Sequence, residues 1–109
     1  MSFEKTMDIS ILLDFYSSLI TPRQRDIVDL YYNEDFSLSE ISENLGITRQ
    51  GVRDGLKKAE EALVEAEEKL SLYKLYKERE SLVNFIEKRL SETNAIYPDI
   101  MEALARLKS

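Results

Sequence analysis

The chain has 109 residues, 43% of them hydrophobic and 33% charged, with a formal net charge of −6. That length and mixture fit one helix-rich domain with a small core. Having no cysteine excludes disulfides and thiol chemistry, and having no histidine removes the commonest general base and metal ligand. No apolar run approaches a membrane span and the start lacks a signal-like pattern, so no membrane span and a cytoplasmic location are expected.

In chain order, Phe3, Met7, Ile11, Phe15 and Leu19 recur in steps of four, with Leu12 and Tyr16 beside them. This predicts an amphipathic first helix that starts between Phe3 and Asp8. Thr21-Pro22-Arg23-Gln24 combines an N-cap threonine, a proline at the first helical position and a glutamine that completes a capping box. The helix it opens buries Ile27, Val28, Leu30 and Tyr31 and ends near Asn33-Glu34-Asp35. Ser37 with Glu40 forms a second capping box; Ile41 and Leu45 then fall on one face, and Gly46 stands where a helix end needs a left-handed residue. Ile47 plugs the turn and Thr48 caps the next helix. Residues 37–58 therefore read as a helix-turn-helix, the arrangement that places a second helix in the DNA major groove.

From Arg49 to Leu90 there is no proline, and Leu56, Ala59, Leu63, Ala66, Leu70 and Tyr73 alternate steps of three and four. That heptad rhythm is a helix–helix seam, filled either by the same chain or by a second copy through the long helices. The rhythm fails at Lys77 and Glu80, and a new stripe runs through Leu72, Leu75, Tyr76, Leu82, Phe85, Ile86 and Leu90. Two helices, or one kinked near Lys69 to Lys74, are expected. Ser91 to Asn94 reads as a loop, and Pro98 opens a last helix with Ile100, Met101, Leu104 and Leu107. Nothing reads as strand, so the fold class is all-α. Residues 1–70 form the helix-turn-helix module, and 71–109 a helical extension that packs on the module or on a partner chain.

Charge is unevenly spread. Residues 1–45 carry three basic and nine acidic groups, residues 59–109 eight and eleven, and residues 46–58 four and one. The one positive segment coincides with the second helix of the motif, so the candidate DNA-binding residues are Thr48, Arg49, Gln50, Arg53, Lys57, Lys58 and Arg23. Arginine grips guanine O6 and N7 and glutamine pairs with adenine, whereas Thr48, Arg23, Lys57 and Lys58 suit phosphate. Glu60, Glu61, Glu65, Glu67 and Glu68 make a solvated face rather than a metal site, because Lys57–Glu61 and Glu65–Lys69 are opposite charges four residues apart. Tyr31, Tyr32, Tyr73 and Tyr76 have helical spacing that suits core or rim packing better than a stacking platform for RNA. Asp14 and Asp29 have no base, nucleophile or phosphate loop beside them. No cofactor and no enzymatic activity are expected.

The opening Ile20-Thr-Pro-Arg-Gln-Arg25, the central Ser37-Leu-Ser-Glu-Ile-Ser42 and Leu45-Gly-Ile-Thr-Arg-Gln-Gly-Val-Arg53 resemble the fourth region of bacterial sigma factors. With Asp14-Phe15-Tyr16, Leu30-Tyr31-Tyr32, Asp54, Leu56-Lys57 and the acidic helix from Glu60, residues 3–90 are similar to the YlxM-like family of small sigma-like helix-turn-helix proteins. That resemblance implies a DNA-binding regulatory protein connected to the signal recognition particle pathway, or an adaptor of its proteins with a degenerate helix-turn-helix. Two departures stand out: Gly55 replaces a bulky aliphatic residue and Gly51 an alanine or charged one. Each glycine costs the helix about 1 kcal/mol relative to alanine, which predicts close approach of DNA or another backbone at that face.

Overall fold

A computed structural model describes residues 7–93 and 97–108, and all regular structure among them is helical. Six α-helices follow one another: α1 (Met7–Tyr16), α2 (Pro22–Val28), α3 (Leu38–Leu45), α4 (Arg49–Leu70), α5 (Leu72–Glu92) and α6 (Pro98–Lys108). A 3-10 turn, Ser17–Leu19, follows α1, and a π-helical turn, Asp29–Asn33, extends α2. The chain divides into two compact units, Met1–Ser71 and Leu72–Ser109.

In the first unit α1, α2 and α3 all pack against α4. Its core is Ile9, Leu12, Leu13, Tyr16 and Ile20 from the start of the chain, Ile27 and Val28 from α2, Ile41 from α3, and Val52, Leu56, Ala59, Leu63 and Ala66 from α4. The α4 stripe is the expected seam, and through Ala66 the chain fills it with its own helices. Small Ala59 and Ala66 alternate with Leu56 and Leu63, which lets neighbouring helices approach closely. Beyond that the seam ends: Leu70 is 51% exposed.

The face of α1 agrees with the expected one at Leu12 and Tyr16 and differs elsewhere. Ile11 and Phe15 are half-buried and Leu19 is exposed, whereas Ile9, Leu12, Leu13 and Tyr16 are buried. Phe3 and the side chain of Met7 lie outside the described residues. Both stripes obey the helical period, and the one that meets α4 wins. The π turn places Asn33 so that its Oδ1 accepts from the Ser10 hydroxyl at 2.6 Å while its amide donates to Asp29 at 2.7 Å. Two tyrosines fasten the rim of this unit to α4. Tyr16 is buried and donates its hydroxyl to Glu67 at 2.6 Å; Tyr32 donates to Glu60. The Tyr32 phenol is consequently held well above its usual range, first by burial and then by the hydrogen bond to the Glu60 carboxylate.

Gly55 has its explanation inside the protein. A Cβ there would lie 2.8 Å from Cδ1 of Ile27, itself only 1% exposed, so α2 rather than DNA makes the close approach. A Cβ at Gly51 would stand 3.1 Å from the capping hydroxyl of Thr48.

α4 and α5 are two helices joined by Ser71 alone, in the left-handed region at φ 55°. The second unit is an α5–α6 hairpin. Ser91 and Glu92 continue α5 instead of forming a loop, and the expected loop residue Asn94 lies outside the described residues. The ion pair of Lys108 with Glu87, 3.1 Å, shows α6 running back along α5. Within the hairpin only Val83 and Leu104 are buried among the described hydrophobic residues. The expected α5 stripe is apolar but open, with Leu72, Leu75, Leu82, Phe85 and Ile86 between 42% and 63% exposed.

Candidate nucleic-acid interface

Local rules set α3, the turn and α4 in the order the sequence predicts. Ser37 Oγ accepts from the Glu40 N–H at 3.1 Å, and the Glu40 carboxylate accepts from the Ser37 N–H at 2.8 Å. The Ser37 backbone N–H first, and then the Ser37 hydroxyl, hold the Glu40 carboxyl below its usual range. α3 stops at Gly46, at φ 69° and ψ 34°, where the N–H groups of Gly46 and Ile47 both return to the Ser42 carbonyl, at 2.9 and 3.2 Å. This closes the helix end in the left-handed manner that glycine permits. The Ser42 hydroxyl donates to the Ile47 carbonyl and pins the far side of the turn. Thr48 then accepts from the Gly51 N–H at 2.9 Å and starts α4. Upstream, Thr21 and Gln24 form the same reciprocal box for α2, at 2.9 and 3.1 Å. Arg25, which carries no candidate role, donates to the carbonyls of Ser17 and Ile20 and locks the preceding turn.

With Val52, Leu56 and Ala59 turned inward, Arg49, Gln50, Arg53, Lys57 and Lys58 are all exposed. A helix advances 100° and 1.5 Å per residue, so Arg49, Arg53 and Lys57 form one slowly turning lane about 12 Å long. Gln50 and Asp54 lie beside that lane, and Lys58 lies on their far side. Among the described residues none of these four cations has an ion-pair partner, and Arg23 has none either. Arg23 stands apart from the lane, exposed in the first turn of α2. Thr48 is exposed as well, with one lone pair committed to the cap.

One contact escaped the sequence reading. Gln50 Nε2 donates to Asp54 Oδ1 at 2.9 Å. The four-residue spacing of an amide and a carboxylate was a usable signal. This bond engages one of the two Nε2 hydrogens of Gln50 and ties the side chain toward Asp54. Past Lys58 the same helix turns acidic: Glu60, Glu61, Glu65, Glu67 and Glu68 follow with no basic residue until Lys69, which pairs with Glu65 at 3.7 Å. No group of three potential metal-ligating side chains gathers among the described residues, and no helix there is long and apolar enough to cross a membrane.

The family described as "Putative helix-turn-helix protein, YlxM / p13 like" matches residues 3–103. A UPF0122 protein of Listeria welshimeri is 39% identical over 107 residues, 98% of this chain and 97% of its own. One from Bacillus pumilus is 41% identical over 109 residues, covering 100% and 96%. One from a Geobacillus species is 46% identical over 81 residues, 74% of each chain.

Proposed function

The chain belongs to the UPF0122 family of YlxM / p13-like helix-turn-helix proteins, and from that premise we propose that it is a cytoplasmic, non-catalytic regulator that binds double-stranded DNA through the first three turns of α4. The observation that carries this reading is the lane of Arg49, Arg53 and Lys57, exposed and without ion-pair partners among the described residues, on the second helix of a fully capped helix-turn-helix. The lane is about as long as the major groove is wide, roughly 12 Å. Arg49 and Arg53 reach base edges, Gln50 reads through its side-chain amide, and Thr48, Lys57, Lys58 and Arg23 neutralise or hydrogen-bond phosphate. The acidic half of α4 leaves the duplex, since its carboxylates repel phosphate.

Three phosphate-contacting cations, Lys57, Lys58 and Arg23, predict a log–log salt slope of roughly −3 for one copy, at about 0.9 per phosphate. Selection of bound sequences from a random DNA pool supplies the target. Arg49→Ala with Arg53→Ala is expected to abolish preference for that target while leaving the salt slope nearly unchanged. Binding that survives the double substitution with its preference intact overturns the assignment.

A second reading draws on the acidic half of α4: an adaptor for signal recognition particle components. Under it the same double substitution leaves co-purification with those proteins unchanged. Loss of the association rules out a purely acidic docking surface.

A further inference from the structure

We infer that the chain forms a two-fold dimer in which the open face of the α5–α6 hairpin packs on the same face of a second copy, giving a four-helix bundle. Alone, the hairpin leaves most of its large apolar side chains facing water. It has 38 residues, and only Val83 and Leu104 are buried among its described hydrophobic side chains. Domains below about 40 residues usually need a staple or an oligomer. Two packed layers are the least that buries an apolar face.

The exposed apolar groups lie on one side. Counting 100° per residue, Leu75, Leu82 and Ile86 stand about 60° to 100° from Val83, all in the same rotational sense; Val83 is the described residue of α5 that is buried. Ile100 and Leu107 stand about 50° from buried Leu104 on α6. Because α6 runs antiparallel to α5, these rotations carry both sets to the same side of the pair. With Leu72 and Phe85 they make a continuous surface of seven large side chains, each between 42% and 63% exposed. At 150–200 Å² for a large side chain in full, that is roughly 600 Å² of apolar surface, the upper end for a monomer. Two such faces bury about 1,200 Å², the threshold of a specific interface.

Charge selects a second copy as the occupant. Residues 72–109 carry seven basic and six acidic groups, so the hairpin has no field to recruit a polyanion, an anionic membrane or a basic peptide. Residues 1–71 carry eight basic and fifteen acidic groups and repel their own kind. The near-neutral hairpin is the part of the molecule on which two like chains meet without that penalty, and an isologous contact supplies by symmetry a face of equal size and hydropathy.

Sedimentation velocity on the full chain from 1 to 100 μM tests the inference. The expected species has twice the 12.7 kDa of one chain. Leu82→Glu with Phe85→Glu, at positions 63% and 58% exposed, is expected to weaken association at least ~100-fold while leaving far-UV helicity unchanged. Leu75→Arg alone gives the same direction and serves if the double variant loses helix. A wild-type chain that stays monomeric at 100 μM overturns the dimer, as does open-ended assembly. A dimer that withstands both variants overturns this face. Arg49→Ala with Arg53→Ala must leave the mass unchanged, which separates the dimer from the DNA reading: either can fail alone.

Discussion

The two units of this chain use the same alphabet to opposite ends. In residues 1–71, thirteen described hydrophobic side chains are buried, the hydroxyls of Tyr16 and Tyr32 reach carboxylates on α4, and the surplus of negative charge is seven. In residues 72–109, two described hydrophobic side chains are buried, eight large ones are exposed, and the net charge is +1. Leucine, tyrosine, glutamate and lysine populate both. What differs is the number of helices each apolar stripe meets: α4 meets three within its unit, α5 meets one. Amphipathicity specifies a face; the number of partners decides whether that face becomes core or surface.

The comparison breaks most visibly with one substitution made in each unit. Leu63→Ala, at a site with no exposure, is expected to cost 2–5 kcal/mol. Leu82→Ala, in the same residue type at 63% exposure, should stay within about 0.5 kcal/mol for the dilute monomer. Urea unfolding of the two variants measures both, and equal costs would refute the division into a packed and an open unit. Of intermediate size is the loss of the α4 cap: Thr48→Ala is expected to cost about 1 kcal/mol, and to fray the turn that carries Arg49 and Gln50, weakening DNA binding in proportion. Hydrogen exchange at the Gly51 amide reads this directly.

The smallest effect is a pH dependence in the first unit. Tyr32 keeps its proton in the fold above the ordinary value of 10.0, so its contribution is complete below pH 10 and is lost as pH rises further. Glu40 has the opposite sign: its carboxylate is stabilised by the Ser37 cap, so its contribution is present above 4.5 and is lost as pH falls through the depressed value. Tyrosine absorbance against pH should show a last phenol ionising together with the loss of helix, and Tyr32→Phe should remove that coincidence.

How far residues foretold structure follows the distance over which each feature is decided. Thr21, Ser37 and Thr48 announced three helix starts, and Gly46 one helix end, because a cap involves residues at most four apart. The face of α1 was legible only in part: Leu12 and Tyr16 were expected on it, Ile9 and Leu13 were not. Ile11, Phe15 and Leu19 satisfy the helical period as well as Ile9, Leu12, Leu13 and Tyr16 do, and α4 decides between them. The π turn at Asp29–Asn33 has no compositional mark. Gly55 was visible as an anomaly, but its cause lay 28 residues upstream in Ile27. At the candidate site the cations and the caps were legible, whereas the Gln50–Asp54 bond was present in the spacing and passed over.

The order of charge along α4 has an energetic meaning of its own. A helix carries roughly half a positive charge at its N-terminus and half a negative charge at its C-terminus, which favours acidic residues first and basic residues last. α4 has no acidic residue in its first turn, places Arg49 there, and gathers its glutamates toward the other end, where Lys69 is the sole basic residue of the last turn. Side-chain charge and backbone dipole therefore add instead of cancelling. The helix gives up a few tenths of a kcal/mol per charge and becomes a rod with a positive head and a negative tail. An anion arriving at the head relieves both sources of repulsion at once, so raising salt should firm the first turn of the free protein by the same screening that loosens its grip on a polyanion.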